Sequence, residues 1–238
     1  MTALLRVESV AKLFGGRRVL SSASLRAAPG ELRVLFWRNG LGKSTLLKIA
    51  AGFVEPDGGT VHFGTHAYLH ARLPSLAAAG LFYLPDADLL SSAFTVRQQL
   101  TLFQQQYGGG AIDEAAARVS ISARLDQGPD TLSGGERRRA ELAAVLVRRP
   151  TCLLADEPYR GLAPQDAEVL TTVLRTLAAS GVAVLVTEHE VPTLLDAADH
   201  ITWCTSGTTY ELGPPAVAAQ HEAFQREYLG PWRVPRAV

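Results

Sequence analysis

Asn39, Gly40, Leu41, Gly42, Lys43, Ser44 and Thr45 have the types and spacing of a loop that wraps a phosphate and runs into a helix. Gly40 and Gly42 let the backbone approach an anion closely. Lys43 is long enough to reach the β- and γ-phosphates of a nucleotide, and the Ser44 hydroxyl suits Mg2+. The cradling N–H groups come mainly from residues 39–45, aided by the positive end of the helix that follows. The usual pattern places a glycine six residues before the lysine, and here that position is Trp37, followed by Arg38. If the backbone there needs positive φ, a tryptophan costs about 1–2 kcal/mol, roughly a tenfold loss of affinity. If φ is negative, the ring is free to pack on the sheet or on a helical insertion. A chance Gly-Lys-Ser in a solvated loop is the plain alternative.

Two more clusters carry chemistry. "LLADEP" ends an apolar run in Asp156 and Glu157. The first carboxylate suits a Mg2+ shell, and the second suits orienting or deprotonating an attacking water. Acidic pairs at strand ends also serve as simple caps. "TLSGGERRRAELAAVL" places Ser133, Gly134 and Gly135 at the start of a long amphipathic helix, where exposed N–H groups can hold a phosphate. A helix cap with no ligand would look similar up to the glycines.

The elements that must position these groups are legible as apolar runs and periodicities. Strands are expected at 4–10, 31–37, 60–64, 80–85, 151–156, 182–187 and 201–207. Helices are expected at 42–53, 95–106, 134–149, 164–180 and 191–200, with one more over 216–230. Strand–helix alternation at both ends predicts an α/β fold with a mostly parallel sheet, an N-terminal β subdomain and a helical insertion. The expected organisation is one domain over residues 1–238. Its core spans about 1–86 and 151–212, the helical subdomain about 87–150, and a C-terminal helix and tail 213–238. "QYGGGAID" (106–113) reads as a flexible break inside the insertion.

Composition narrows the function. The 238 residues carry 23 basic and 23 acidic side chains, so no basic excess points to nucleic acid. Hydrophobic residues make up 47%, enough for a sizeable core. No apolar run reaches the roughly 20 residues that a spanning helix needs, so a membrane role is expected only through a partner, with the chain cytoplasmic. Cys152 and Cys204 each sit in an apolar run and read as buried free thiols. His62, His66 and His70 recur every fourth residue, but Val61, Phe63 and Gly64 favour a strand and turn that would scatter the rings, so no metal site is expected. The "ERRRAE" run (136–141) reads as the solvated face of its helix, and Trp203 beside Cys204 as core.

Taken in this order, the Gly-Lys-Ser loop, "LSGGE" and "DEP" resemble the ATP-binding-cassette ATPases across nearly the whole chain. The resemblance implies a P-loop, RecA-like core that binds and hydrolyses ATP with Mg2+, and a head-to-tail dimer. ATP would lie between one subunit's phosphate loop and the other's Ser133, Gly134 and Gly135. It further implies that Phe14 stacks on adenine, that His189 in "TEHEV" senses the γ-phosphate, and that "YRGLA" (159–163) crosses the dimer interface. Separate transmembrane permease subunits would use the cycle for transport, with the chain peripheral at the inner face of the membrane. The "REYLG" ending (226–230) is similar to the branched-chain amino-acid uptake and lipopolysaccharide-export ATPases.

The sequence also departs from that family. Asp86 stands where the family has glutamine. It is able to bind Mg2+ directly or through water, to raise a carboxylate pKa beside Glu157, or to act only as a turn residue after Pro85. Ala163 replaces an aspartate, which puts coupling between two ATP sites in question. Two other readings stay open: a soluble cassette ATPase for a task such as cluster assembly, and a regulatory module that binds ATP but barely turns it over. Apolar residues of "TVRQQLTLF", with Phe94 before them, suit either a groove for a membrane partner's helix or packing on the "LSGGE" helix.

Overall fold

The computed structural model describes residues 3–37, 43–68, 70–188 and 192–229. Continuous apolar runs become buried parallel strands covered on both faces: β3 (Leu32–Trp37), β6 (Leu81–Leu84), β7 (Cys152–Asp156), β8 (Ala183–Glu188) and β9 (His200–Thr205). The antiparallel strands are β1 (Leu5–Phe14) and β4 (Gly58–Phe63), expected in part from their apolar residues, and β2 (Arg17–Ala27) and β5 (His66–Tyr68), which no such run announced. β10 (Thr208–Gly213) joins the two groups, antiparallel to β9 and bridged to β2 at Thr208 and Ser22. The single sheet runs β5-β4-β1-β2-β10-β9-β3-β8-β7-β6.

Two apolar clusters fill opposite faces. On β3, Leu32, Val34 and Phe36 enter one, and Leu35 and Trp37 the other. Helix α1 (Lys43–Ala50) covers the Trp37 face with Leu46, Leu47 and Ile49. The short α2 (Leu73–Ala78) lies on that side through Leu76. The insertion covers the other face. It comprises α3 (Val96–Tyr107), α4 (Ile112–Arg118) and α5 (Gly134–Arg148), followed in the chain by α6 (Pro164–Ala179) and α7 (Pro192–Leu195).

Several expectations need correction. The helix expected over 191–200 is only the short α7, and His200 already belongs to β9. The glycine run after α3 is a close-packed turn: Gly108 caps α3 in the left-handed region, and Gly110 N–H donates to the Val147 carbonyl at 2.8 Å. A Cβ on Gly109 would meet that same carbonyl oxygen at 1.7 Å, so only glycine fits. The helix expected over 216–230 is broken into α8 (Pro215–Ala218) and α9 (Glu222–Phe224), with a π-type turn at Gln225–Leu229. His221 interrupts it, its Nδ1 accepting from Phe224 N–H at 3.3 Å. Phe224 and Tyr228 then stack at 5.3 Å against Phe36. The charged run on α5 is not a solvated face, since Arg138 and Glu141 are buried.

Candidate active site

The carboxyl ends of β3, β8, β7 and β6 lie side by side. Phe36 pairs with Glu188, Thr187 with Asp156, and Ala155 with Leu84. In open α/β sheets this edge is where ligands bind. In the chain, the segment expected to hold phosphates follows β3, His189 follows β8, Glu157 follows β7, and Asp86 follows β6 within two residues. Arg38, Asn39, Gly40, Leu41, Gly42 and His189 lie outside the described residues, as does the Lys43 side chain. Ser44 and Thr45 stand in the first turn of α1. Trp37 is the last residue of β3, in extended conformation and 2% exposed, with its indole in the core beneath α1. The position therefore needs no glycine, and the ring packs on the sheet on the face away from the insertion.

Asp156 and Glu157 are held by one network. Asp156 is 2% exposed; its Oδ1 accepts from Thr187 Oγ1 at 2.7 Å and its Oδ2 from the Tyr83 hydroxyl at 3.1 Å. Burial, together with the Asp156 carboxylate, pushes the Tyr83 phenol far above its usual range, so it stays a donor. Glu157 leaves the strand with φ 41°, and its N–H donates to Thr187 Oγ1 at 3.0 Å. An anchored carboxylate with spare lone pairs, and a serine hydroxyl in the first turn of α1, are hard oxygen donors of the kind Mg2+ takes. These residues fit the ion.

Asp86 is an exposed bend residue. Its carboxylate pairs with Arg160 at 3.5 Å, and the Arg138 guanidinium donates to the Pro85 and Asp86 carbonyls at 3.0 and 2.6 Å. Arg138 belongs to "ERRRAE", which is not a solvated face. Arg138 and Glu141 are buried and paired at 2.8 Å, Arg137 holds Asp88 at 2.7 Å, and Arg139 holds Asp166 at 3.2 Å. Desolvation lowers the Arg138 pKa and raises that of Glu141. The run clamps residues 85–89 and α6 to α5, a tertiary task that helix periodicity does not reveal.

Ser133 caps α5 in a reciprocal box: Ser133 Oγ accepts from Glu136 N–H at 3.2 Å, and Glu136 Oε2 accepts from Ser133 N–H at 3.0 Å. Ser133 and Gly134 are exposed, and a Cβ on Gly134 would meet nothing within 4 Å. On Gly135 it would meet Asp166 Oδ2 at 1.9 Å. One glycine thus faces open space while the next is tucked against α6. Gly134, Asp86 and Arg160 line a common cavity of about 180 Å3. Phe14 stands apart at the end of β1, 48% exposed, with Lys12 Nζ 5.5 Å from its ring centroid.

Sequence reasoning missed Tyr83 and Thr187, although each sits near a motif, in "YLPD" and "VTEHE". A cleft of about 670 Å3 lies between the core and the insertion, lined by Phe53, Leu73, Tyr83, Asp86, Phe103 and Tyr107, and the groove expected along "TVRQQLTLF" meets it only at Phe103. Val96 and Leu100 of α3 are buried, whereas Phe94 and Leu102 are about half exposed, at 49% and 56%. The three histidines scatter: His62 meets Thr60 and Glu8, His66 sits by Tyr68, and His70 meets Glu55. Among the described residues no group of His, Cys, Asp and Glu forms a metal cluster. Cys152 and Cys204 are buried free thiols, and burial pushes Cys152 up to about 12.

Comparison with known proteins gives the class. The family model described as "ABC transporter" matches residues 20–160. The chain belongs to this family, as an ATP-binding subunit that energises membrane subunits, and it is an ABC-type ATPase. It is similar to the lipopolysaccharide export system ATP-binding protein LptB of Escherichia coli K12, 30% identical over 238 residues that cover 96% of this chain and 98% of LptB. Its fold matches the ADP conformation of MJ1267, an ATP-binding cassette of an ABC transporter, with TM-score 0.84 and 23% identity over 97% and 100% of the two chains. The dimeric cassette MJ0796 matches with TM-score 0.78 and 21% identity over 87% and 98%. ABC ATPase subunits dimerise and pair with permeases. Among the described residues, no helix is long and apolar enough to cross a membrane.

Proposed function

We propose that this chain hydrolyses MgATP at the carboxyl edge of its parallel strands and completes each site with a second subunit, either a copy of itself or a paired ABC ATPase. Phe14 stacks on the adenine ring, and the backbone of residues 38–45 with Lys43 holds the phosphates. Ser44 and Asp156 hold Mg2+, which, when bound, neutralises charge on the β- and γ-phosphates. Glu157 orients and deprotonates the attacking water, and His189 contacts the γ-phosphate. Ser133, Gly134 and Gly135 present N–H groups to the nucleotide on the partner. Asp86 serves to hold the Arg160 loop instead of joining the metal shell. One observation carries this reading. Asp156 is buried and tethered at both oxygens, while adjacent Glu157 turns off the strand with φ 41° and stays partly exposed. This supports reading Asp156 as the carboxylate for the metal and Glu157 as the one for the attacking water.

The membrane enters through permease subunits. The apolar cleft beside Asp86 suits a helix from such a partner, because Phe53, Phe103 and Tyr107 give it an apolar lining next to the segment after β6. The chain then sits in the cytoplasm at the inner face of the membrane, and its zero net charge offers no basic excess to favour nucleic acid.

Glu157→Gln tests the assignment. Steady-state ATP hydrolysis should fall by about a hundredfold or more, while calorimetric titration still shows ATP binding. A Gln variant that turns over like wild type would remove Glu157 from the role of base. A second reading, slow turnover in a mainly regulatory subunit, draws on Ala163, which leaves α6 without a side-chain cap at the loop that meets the partner. Tight ATP binding with no measurable wild-type hydrolysis would favour it.

A further inference from the structure

We infer that Thr187 is a positioning residue whose single hydroxyl sets both acidic side chains of the site, an inference that rests on the proposed roles of Asp156 and Glu157. Thr187 is fully buried on β8, directly opposite Asp156 in the sheet register. Its Oγ1 donates to Asp156 Oδ1 at 2.7 Å and accepts from Glu157 N–H at 3.0 Å. A hydroxyl has one proton to give and lone pairs to receive, so both bonds are satisfied at once.

Each bond fixes something different. Asp156 is gripped from two neighbouring strands, by Thr187 on β8 and Tyr83 on β6, so its carboxylate cannot rotate without losing a partner. Glu157 adopts φ 41°, a region that non-glycine residues avoid unless their surroundings hold them there. The bond from its N–H to Thr187 ties the backbone where β7 ends, and thus aims the side chain one residue after the tethered aspartate. Neither contact is local in sequence, as Thr187 lies 31 residues from Asp156 and 30 from Glu157. With the proposed roles, hydrolysis needs both carboxylates held in place, and misplacing a reacting group by about 1 Å loses about a hundredfold in rate.

The test uses the full chain as wild type, Thr187→Val, Thr187→Ser, Thr187→Ala and Glu157→Gln. Thr187→Val keeps the shape and removes the hydroxyl. Its kcat should fall about a hundredfold, with the calorimetric ATP dissociation constant within about threefold of wild type, a split that simple loss of folding does not give. Thr187→Ser, which restores the hydroxyl without the methyl, should return kcat to within about threefold. Should valine prevent folding, the serine and alanine variants, which differ only in the hydroxyl, give the same comparison. A valine variant within about threefold of wild-type kcat, or alanine turning over like serine, overturns the inference provided Glu157→Gln is inactive. If Glu157→Gln itself retains wild-type turnover, the assignment of the base has failed instead, so the two failures are separable.

Discussion

Trp37 ends β3 with its indole packed among Leu35, Leu46, Leu47 and Cys204, at the place where a phosphate loop ordinarily begins with glycine. Because the residue stays extended, the bulk goes downward into the core instead of into the loop. Trp37→Gly should therefore cost about 3–5 kcal/mol through the cavity it leaves, a fall of roughly 10 °C in melting temperature. ATP affinity, followed by calorimetry, should change by no more than a few-fold. A tenfold gain in affinity at unchanged stability would mean that the indole does crowd the nucleotide. The types of the residues in the loop and in "DEP" were legible in the sequence because each motif is local. What anchors Asp156 was not. Tyr83 and Thr187 reach it from other strands, at separations of 73 and 31 residues, through contacts that only the sheet register creates.

At the scale of elements, helix ends carry much of the site. α5 starts with a complete capping box, and its Glu136 carboxyl is held down from the usual 4.5 to about 2 by the Ser133 N–H first and then by Arg124. A depressed carboxyl contributes above its unfolded pKa and loses that contribution as pH falls through the folded one, so this cap is complete above about pH 4.5 and fades toward pH 2. α6 has no such device. Its N-cap is Ala163, with φ −68° and ψ 154° already suited to a capping side chain. Ala163→Asp should add about 1 kcal/mol, read as a rise of roughly 2–4 °C in thermal denaturation; no rise would show that another group already satisfies the first turn. β7 and β8 were legible as unbroken apolar runs because both faces are covered. β2, "RRVLSSASLRA", was not, since its small and polar residues give neither an apolar run nor a clean alternation, and β1 and β10 supply its pairing. The buried Arg138–Glu141 pair was misread for a similar reason: an arginine at helical spacing looks solvated until the segment after β6 folds over it.

Across the whole molecule, the order β3-β8-β7-β6 brings four strand ends to one edge, although they are spread in sequence from Trp37 to Glu188. Ser133 caps α5 yet is exposed, and Gly134 beside it faces open space, so half of the proposed site is offered to a partner. Between these regions runs the apolar cleft, in contact with the same Asp86 segment that Arg138 and Arg160 hold. A partner pressing there would move a segment tied both to α5 and to the loop after Glu157. The proposed function requires that the loop between Trp37 and Lys43 grips a triphosphate. Isothermal titration of the purified chain with MgATP tests that most directly. One saturable site per chain, abolished in Lys43→Ala while the melting temperature of that variant stays near wild type, is the expected result. No binding heat for wild type, or equal binding by the alanine variant, would contradict it.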